Sequence, residues 1–298
     1  MTAKRLVIVL GALAYRGGQR VSRVLAVLTG RGERPVPRVV LTYHAVTAAD
    51  RPGFERQMRA LKRMVIPVFA DEPECAGRST VAVTFDDAFQ CVFDEALPIL
   101  ARYEIPATVF VPTGSLGREA SWMTAGSGTT RVVGREQLGA VDRRRVRLGS
   151  HTVTHPRLGE IERSQVQAEL ADSRRCLEQL GGEPVTMLAL PYGSSSPHVM
   201  TIAAATGYAR VFANIPVAAT GDALLVGRVD ASPNDWALEF RLKIQGAYQW
   251  LALAIRAKRQ AYGLARAVLR AVRRRPAVPQ MVEAQRRGAN EARTSWPS

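Results

Sequence analysis

The sequence reads Val81-Ala82-Val83-Thr84-Phe85-Asp86-Asp87 at the point that decides its fold. The first five of these residues are β-branched, small or aromatic, and they predict a buried strand. Two adjacent carboxylates follow at its C-terminal tip, the end of a strand that faces the active site in α/β barrels. Because neighbouring side chains at a strand end point in different directions, one carboxylate can bind a metal while the other acts as a base. An acidic pair after a strand is also common in turns and helix caps, so this stretch by itself leaves a structural role open.

Outward from this stretch, short β-branched runs alternate with helical stretches, which is typical of a parallel α/β sheet. About seven such runs predict an α/β fold, a distorted (β/α) barrel of parallel strands. The predicted helices span residues 94–103, 163–180 and 197–206. The predicted strands span residues 39–43, 81–85, 107–111, 146–148, 187–190, 209–213 and 225–229.

Two of the four histidines lie in Ser150-His151-Thr152-Val153-Thr154-His155, directly after a predicted strand. Their spacing of four lets both imidazoles converge on one divalent ion from a helical turn or a tight loop. A lone histidine is more often structural, but a pair in a histidine-poor chain favours ligation. One carboxylate and two imidazoles would leave open positions for water, as a catalytic metal site requires.

Two further strand ends carry candidate site residues. Leu190-Pro191-Tyr192-Gly193 is a rigid turn that can present an aromatic ring and backbone amides to a cleft, where an oxyanion hole could form. Tyr43-His44 ends the first predicted strand, so its imidazole would reach the same face of the barrel.

In chain order, these four elements resemble the polysaccharide deacetylase family, the hydrolases with a NodB homology domain, also called carbohydrate esterase family 4. The resemblance covers roughly residues 39–230. The family's motifs read Thr84-Phe85-Asp86-Asp87-Ala88, Ser150-His151-Thr152-Val153-Thr154-His155 and Leu190-Pro191-Tyr192-Gly193 in this sequence. Three motifs in the right order make the match specific.

The resemblance implies a metal-dependent hydrolase of carbon-nitrogen, non-peptide bonds. Its substrate would be an N-acetylated carbohydrate, either a polysaccharide or a lipid-linked glycan, from which it removes N-acetyl groups. Asp87, His151 and His155 would hold one divalent ion, usually zinc in this family. Asp86 would be the general base that takes the proton of the metal-activated water.

The remaining roles fall on residues near the other strand ends. By the resemblance, the backbone N–H of Tyr192, in the turn shaped by Pro191, would contact substrate and stabilise the oxyanion. We take His44 as a hypothetical general acid, with a structural histidine beneath the site as the alternative. Asp230 could support the site from behind, although a salt bridge between Asp230 and Arg228 is the simpler expectation.

The sequence departs from the family's pattern at three places. Ala88 stands where the first motif usually ends in glycine, a change that is tolerable if the backbone torsions there are ordinary. Ala189 stands where the family often carries an arginine that orients the base, which would leave Asp86 less firmly held. The family's late histidine, its usual general acid, has no counterpart after His155 except His198 on a predicted helix.

Positive charge is concentrated at the two ends of the chain. Of 41 Lys and Arg and 26 Asp and Glu, a formal net charge of +15, residues 1–38 contribute eight bases and one acid. Residues 251–298 contribute eleven bases and two acids, which leaves the middle nearly neutral. This distribution favours attachment of the ends to a surface over a basic groove through the body, so no specific nucleic-acid partner is expected.

Both basic ends also show the spacing of amphipathic helices. Residues 251–275 place aliphatic and basic side chains on adjoining helical faces, and residues 1–38 form a second such segment. We expect peripheral contact with an anionic membrane surface, while packing of these helices on the domain is the alternative. The short N-terminal apolar run favours a retained helix over a signal peptide, and a cytoplasmic location, on the inner membrane face, follows. Three widely spaced cysteines agree with a reducing compartment.

These observations divide the chain into four predicted parts. They are an N-terminal basic amphipathic segment (1–38), the barrel (39–235), a helical basic extension (236–275) and a disordered tail (276–298). Two other classes of function stay open on the sequence. One is a catalytically impaired, carbohydrate-binding pseudoenzyme, suggested by the missing arginine and late histidine. The other is a basic membrane- or nucleic-acid-binding module in which the strand-end residues are structural.

Overall fold

A computed structural model of the chain describes residues 3–29, 38–72, 78–123, 131–215, 223–255 and 260. The contacts divide the chain after Ala252, and the fold below is that of the first part. Of the helix predicted over residues 251–275, only 251–255 and 260 are described, and they are helical. The tail predicted over residues 276–298 lies outside the described residues. The predicted domain boundaries and the cytoplasmic location stay predictions.

In the described part of the chain nine strands form one sheet, and all of its strand pairs are parallel. The expected α/β barrel class is therefore confirmed. The strands are β1 (Val39–Tyr43), β2 (Ile66–Val68), β3 (Thr80–Phe85), β4 (Ala107–Val111), β5 (Val146–Ser150), β6 (Met187–Ala189), β7 (Arg210–Ala213), β8 (Leu225–Gly227) and β9 (Val229–Asp230).

The sheet curls into a nearly closed barrel of eight strands in the order β8-β7-β6-β5-β4-β3-β1-β9, with β2 paired to the first half of β3. Its two ends are β8, paired with β7, and β9, paired with β1. Only Arg228 separates them in the chain. The single strand predicted over residues 225–229 is therefore two strands, because the chain changes its pairing partner at Arg228. Together with the unpredicted β2, this break raises the count from seven to nine.

Seven α-helices are described, and several carry the end signals that their sequences predict. A capping box at Glu162 and Gln165 begins α5, and Gly182 ends it with a positive φ of 68°. Ser196 accepts a hydrogen bond from the Val199 N–H at the start of α6. The helices are α1 (Ala3–Leu28), α2 (Arg51–Met64), α3 (Leu97–Arg102), α4 (Arg135–Gly139), α5 (Arg163–Gly181), α6 (Pro197–Thr206) and α7 (Ala237–Ile244).

The differences from the predicted helices have local causes. The helix expected over residues 94–103 begins as a π-helical turn, Val92–Ala96, and continues as α3. Helix α2 was not predicted, although its buried Phe54, Met58 and Leu61 have helical spacing. Helix α4 is only five residues long, too short for a periodic signal.

Side chains fill the inside of the barrel. Phe110 and Phe212 meet there with ring centroids 5.2 Å apart. The lack of a side chain at Gly149 leaves room for the Phe110 ring, because a Cβ at residue 149 would lie 2.4 Å from that ring. A larger apolar core lies between the strands and the surrounding helices, where Tyr43, Phe54 and Phe85 form an aromatic cluster. The interior of the barrel is thus packed with side chains.

Helix α1 packs against the barrel unit through one face. Val9 and Ala12 are buried in the core cluster, and Arg5 forms an ion pair with Glu239 of α7. Gly11 lies against Trp250, so closely that a Cβ would come within 2.5 Å of the indole ring. None of the helices in the described part of the chain is both long and apolar enough to cross a bilayer.

Candidate metal centre and active site

The polar residues singled out by sequence meet at the carboxyl ends of the strands. Because β1, β3, β5 and β6 are parallel, the residues that follow them emerge at one edge of the barrel. The Asp86 N–H donates to the Tyr43 carbonyl at 2.9 Å, which ties the end of β3 to the end of β1. The residues at this edge are His44, Asp86, Asp87, His151, His155 and Tyr192.

Three of these residues form a compact, buried cluster. Asp87 Oδ1 lies 3.3 Å from His155 Nε2 and 3.6 Å from His151 Nε2. The possible ligand atoms all lie within 4.8 Å of one another, and among the described residues Asp87 Oδ1 has no hydrogen-bond partner. A buried carboxylate oxygen without a donor, facing two imidazole nitrogens, fits a divalent cation.

Neighbouring groups fix the orientation of the two imidazole rings. His151 Nδ1 lies 2.8 Å from the Ala189 carbonyl, so it carries the proton and leaves Nε2 as the free acceptor. His155 stacks on Trp122 with ring centroids 4.2 Å apart, and the Tyr192 ring meets its edge at 4.7 Å. Burial lowers the pKa of His155 to about 3, with His151 adding to the effect. His155 is therefore neutral at physiological pH, the form in which imidazole binds metals.

The loop that carries both histidines is held by α5. The Glu169 carboxylate accepts hydrogen bonds from the Val153 and Thr154 N–H groups at 2.7 and 2.9 Å and from the Thr154 hydroxyl at 2.6 Å. Thr152 and His155 have positive φ values of 68° and 61°, a conformation that non-glycine residues adopt only when their surroundings impose it. Charged hydrogen bonds from Glu169 thus maintain the tight loop that brings the two imidazoles together.

Asp86 is paired with Arg228, which lies in the gap between β8 and β9. Two hydrogen bonds of 2.6 Å join the guanidinium to the two carboxylate oxygens, and both side chains are buried. A further bond of 2.7 Å to Asn214 Oδ1 fixes the guanidinium. Burial raises the pKa of Asp86, but Arg228 and then His151 outweigh it and hold that pKa well below its usual range. Asp86 is therefore an ionised, oriented carboxylate at neutral pH.

Residues 74–211 match the sequence profile of the family described as polysaccharide deacetylase. That range contains Asp86, Asp87, both clustered histidines and Tyr192 in the expected order. This part of the chain is similar to the polysaccharide deacetylase family. The expected resemblance is confirmed, and with it the expectation of a hydrolase of the polysaccharide deacetylase type at the level of the family.

Relatives with known names agree with this assignment. The chitooligosaccharide deacetylase of Sinorhizobium fredii (strain NBRC 101917 / NGR234) is 33% identical over 137 residues, which cover 45% of this chain and 57% of the relative. The poly-beta-1,6-N-acetyl-D-glucosamine N-deacetylase of Staphylococcus aureus (strain N315) is 43% identical over 42 residues, 14% of each chain.

Solved structures show the same fold. IcaB from Ammonifex degensii is 26% identical with a TM-score of 0.61, and the match covers 72% of this chain and 98% of IcaB. The Streptococcus pyogenes deacetylase PplD, solved in complex with acetate, is 22% identical with a TM-score of 0.60 over 71% of this chain and 99% of PplD. The likeness to PplD is one of fold.

Two residues at the candidate site lie outside the matched range, and the contact expected for one of them is not the one observed. The expected salt bridge of Arg228 with Asp230 is wrong, because the Arg228 guanidinium points into the barrel mouth and pairs with Asp86. Although Ala189 stands where an orienting arginine was expected, Asp86 is oriented by the bidentate pair with Arg228. His44, the other residue, is exposed at the end of β1, next to Tyr43, whose carbonyl accepts the Asp86 N–H.

The backbone around the acidic pair differs from the simplest expectation. Ala88, where the deacetylase family usually has glycine, has a positive φ of 48°, and Asp87 before it has a φ of 66°. The torsions at Ala88 are therefore not the ordinary ones that would make the methyl harmless, and the residue carries a left-handed conformation at a cost of about 1–2 kcal/mol.

The third motif is a tight turn beside the cluster of Asp87, His151 and His155. Pro191 is buried, and Tyr192 has a positive φ of 56° with half of its surface exposed. Arg157 lies over the Tyr192 ring, 4.4 Å from its centroid.

Trp122 was not found from sequence because a single tryptophan outside the motifs has no spacing signal. His198 lies in α6 and forms a hydrogen bond with Ser196, the residue that caps the start of that helix.

Proposed function

We propose that this domain hydrolyses the acetamide of an N-acetylated carbohydrate, releasing acetate and leaving a free amino sugar. The observation that carries the proposal is the buried Asp87 oxygen facing two imidazole nitrogens, next to an ionised Asp86. The names of the relatives support the substrate class, because they act on chitooligosaccharide and on poly-N-acetylglucosamine.

Asp87, His151 and His155 would hold one divalent metal ion. The donor set of two imidazole nitrogens and one carboxylate oxygen is that of catalytic zinc sites with an open position, which makes zinc the candidate. When bound, the ion supplies Lewis-acid chemistry, polarising the amide carbonyl and lowering the pKa of water.

Asp86 would act as the general base. As the water oxygen forms its bond to the acetamide carbon, Asp86 accepts the released proton, and the carbonyl π electrons move to oxygen. The Arg228 pair keeps the carboxylate ionised and fixes its direction, at the expense of basicity. The developing oxyanion would be met by the backbone N–H of Tyr192 in the turn that Pro191 begins.

His44 would act as the general acid. Breaking the carbon-nitrogen bond requires a proton on the leaving nitrogen, and His44 directly follows Tyr43, whose carbonyl accepts a hydrogen bond from the Asp86 N–H. Its exposed position at the end of β1 leaves it open to a substrate bound at the barrel mouth. Over the whole reaction Asp86 gains one proton from water and His44 gives one proton to the leaving nitrogen, so the number of protons on the two side chains together is unchanged.

Elemental analysis of purified protein tests the metal site first. We expect near-stoichiometric zinc or another divalent ion in the wild type and its loss in a His151→Ala, His155→Ala double variant. His198→Ala is the matched control, because it removes a histidine outside the cluster and should leave metal content unchanged. Wild-type protein that stays metal-free after reconstitution would overturn the ligand assignment.

Acetate release from N-acetylated oligosaccharides then tests the catalytic roles. Asp86→Asn should retain metal and lose about 10²–10⁴-fold in turnover, the usual contribution of a general base. His44→Gln should likewise retain metal and lose turnover. Nearly full turnover in His44→Gln would remove the general-acid role from His44 and leave the metal site standing.

A further inference from the structure

Helix α1 has two apolar faces, and the barrel unit uses only one of them. Its inner face contributes buried Val9 and Ala12 to the core. Arg5 pins the same face through an ion pair with Glu239 at 2.5 Å and a contact over the Trp236 ring at 4.5 Å. The helix is therefore fixed in rotation, and its opposite side is directed away from the barrel unit.

The outward face of α1 is apolar along the length of the helix. At about 100° per residue, its large apolar side chains fall within an arc of about 120°, opposite the docked face. They are between 40% and 76% exposed. The other positions in the arc whose side chains are described (residues 3, 14 and 17) are alanine or glycine. The exposed side chains are Leu6, Val7, Leu10, Leu13, Val21, Leu25 and Leu28.

This arrangement is not what packing on a domain requires. A helix that docks one face on a core ordinarily presents polar residues to water on the other. A contiguous exposed apolar surface of this kind marks a site of contact with a partner or a membrane. Since no described helix is long and apolar enough to span a bilayer, a membrane partner would be contacted along its surface.

The charge of α1 distinguishes between partners. The helix carries five basic residues and no acidic one. Lys4 and Arg20 are exposed and lie toward the two edges of the apolar arc. A second copy of the chain would bring two such positive helices together, whereas anionic headgroups would neutralise them. Interfacial helices combine an apolar face with basic residues beside it in this way.

We propose that the outward face of α1 binds an anionic lipid surface, with its apolar arc at the acyl boundary and Lys4 and Arg20 among the headgroups. The inner face then holds the barrel to that surface through Arg5, Val9 and Ala12. Because α1 also lines a cavity that reaches Arg228, the helix brings this side of the active site toward the lipid.

Vesicle co-sedimentation of the full chain tests this placement. We expect partition onto vesicles of phosphatidylglycerol and phosphatidylcholine, weaker partition onto pure phosphatidylcholine, and weakening with salt. Leu10→Gln with Leu13→Gln removes apolar surface without changing charge and should reduce the partition coefficient about tenfold or more. The matched control is Leu225→Gln, an exposed leucine on β8, which should bind within about twofold of the wild type.

Three results would overturn the proposal. Equal partition of the double variant and the wild type would assign binding to other basic segments of the chain. A large drop in the Tm of the double variant without vesicles would show that the outward face is covered within the folded chain. Dimers that the double variant abolishes, with no vesicle binding by the wild type, would assign the face to a second copy.

Discussion

Replacing Arg228 by methionine should destabilise the domain strongly, because it would leave the Asp86 carboxylate buried without its partner. Both side chains are buried, and two hydrogen bonds of 2.6 Å join them. Removing one member of a buried ion pair costs about 3–5 kcal/mol. In a domain of this size 1 kcal/mol corresponds to roughly 2–4 °C in Tm, so we expect Arg228→Met to lower Tm by roughly 6–20 °C.

The loss should also depend on pH in a definite direction. Against the opposing effect of burial, Arg228 holds the pKa of Asp86 below its unfolded value of about 3.9. The pair's stabilisation is therefore complete above that pH and is lost as pH falls through the lower, folded value. In Arg228→Met, burial alone would raise the pKa of Asp86, so the variant loses stability as pH rises from about 4. The stability difference should be largest near neutral pH and shrink toward pH ~4.

Urea unfolding at several pH values measures both effects, and a surface pair provides the control. Arg102 and Glu55 form an exposed ion pair of 2.9 Å, and Arg102→Met should cost less than about 1 kcal/mol. A double-mutant cycle with Asp86→Asn should show that Arg228→Met costs less once the carboxylate is gone. If Arg228→Met were no more harmful than Arg102→Met, the reasoning about a buried pair would be refuted.

Other changes test the strained turn, the histidine loop and the docked helix. Ala88→Gly should raise the unfolding free energy by about 1 kcal/mol in urea titrations by relieving a positive φ, and unchanged or lower stability would contradict this. Glu169→Ala should loosen the histidine loop and weaken metal affinity about 10–100-fold, as measured by chelator competition. Unaltered affinity would show that the loop keeps its conformation without Glu169. Gly11→Val should cost about 1–3 kcal/mol by forcing a side chain into Trp250. Its control is Gly17→Val, where a Cβ meets nothing within 4 Å, and equal losses would argue against tight docking.

The candidate metal cluster was predictable because its residues follow local rules. Strand 81–85 is recognisable from its composition, and parallel pairing sends every strand end to one edge, so Asp87 and the histidine loop had to be near each other. The spacing of four between His151 and His155 was sufficient to predict that both rings converge. The direction of Asp87 toward both Nε2 atoms agrees with that prediction.

Short and irregular elements escaped prediction because their signals are local and weak. Strand β2 has three residues, and α4 has five, both below the length at which periodicity can be recognised. The positive φ at Ala88 could not be predicted from the residue type, because alanine usually avoids this conformation. It is imposed by the tight turn between β3 and the following helix, which aims the two carboxylates.

By itself, the sequence determined the parallel α/β class, the order of the strand ends and the chemical types gathered there. Only the tertiary structure decided that Arg228 pairs with Asp86 and not with Asp230, and which face of α1 is left outward. The Arg228–Asp86 pair joins residues 142 positions apart. Local spacing cannot encode such a contact, because it forms only when the sheet curls and β9 pairs with β1. Arg228, the residue between β8 and β9, then lies at the barrel mouth. From there its guanidinium reaches Asp86 at the end of β3, the strand that also pairs with β1.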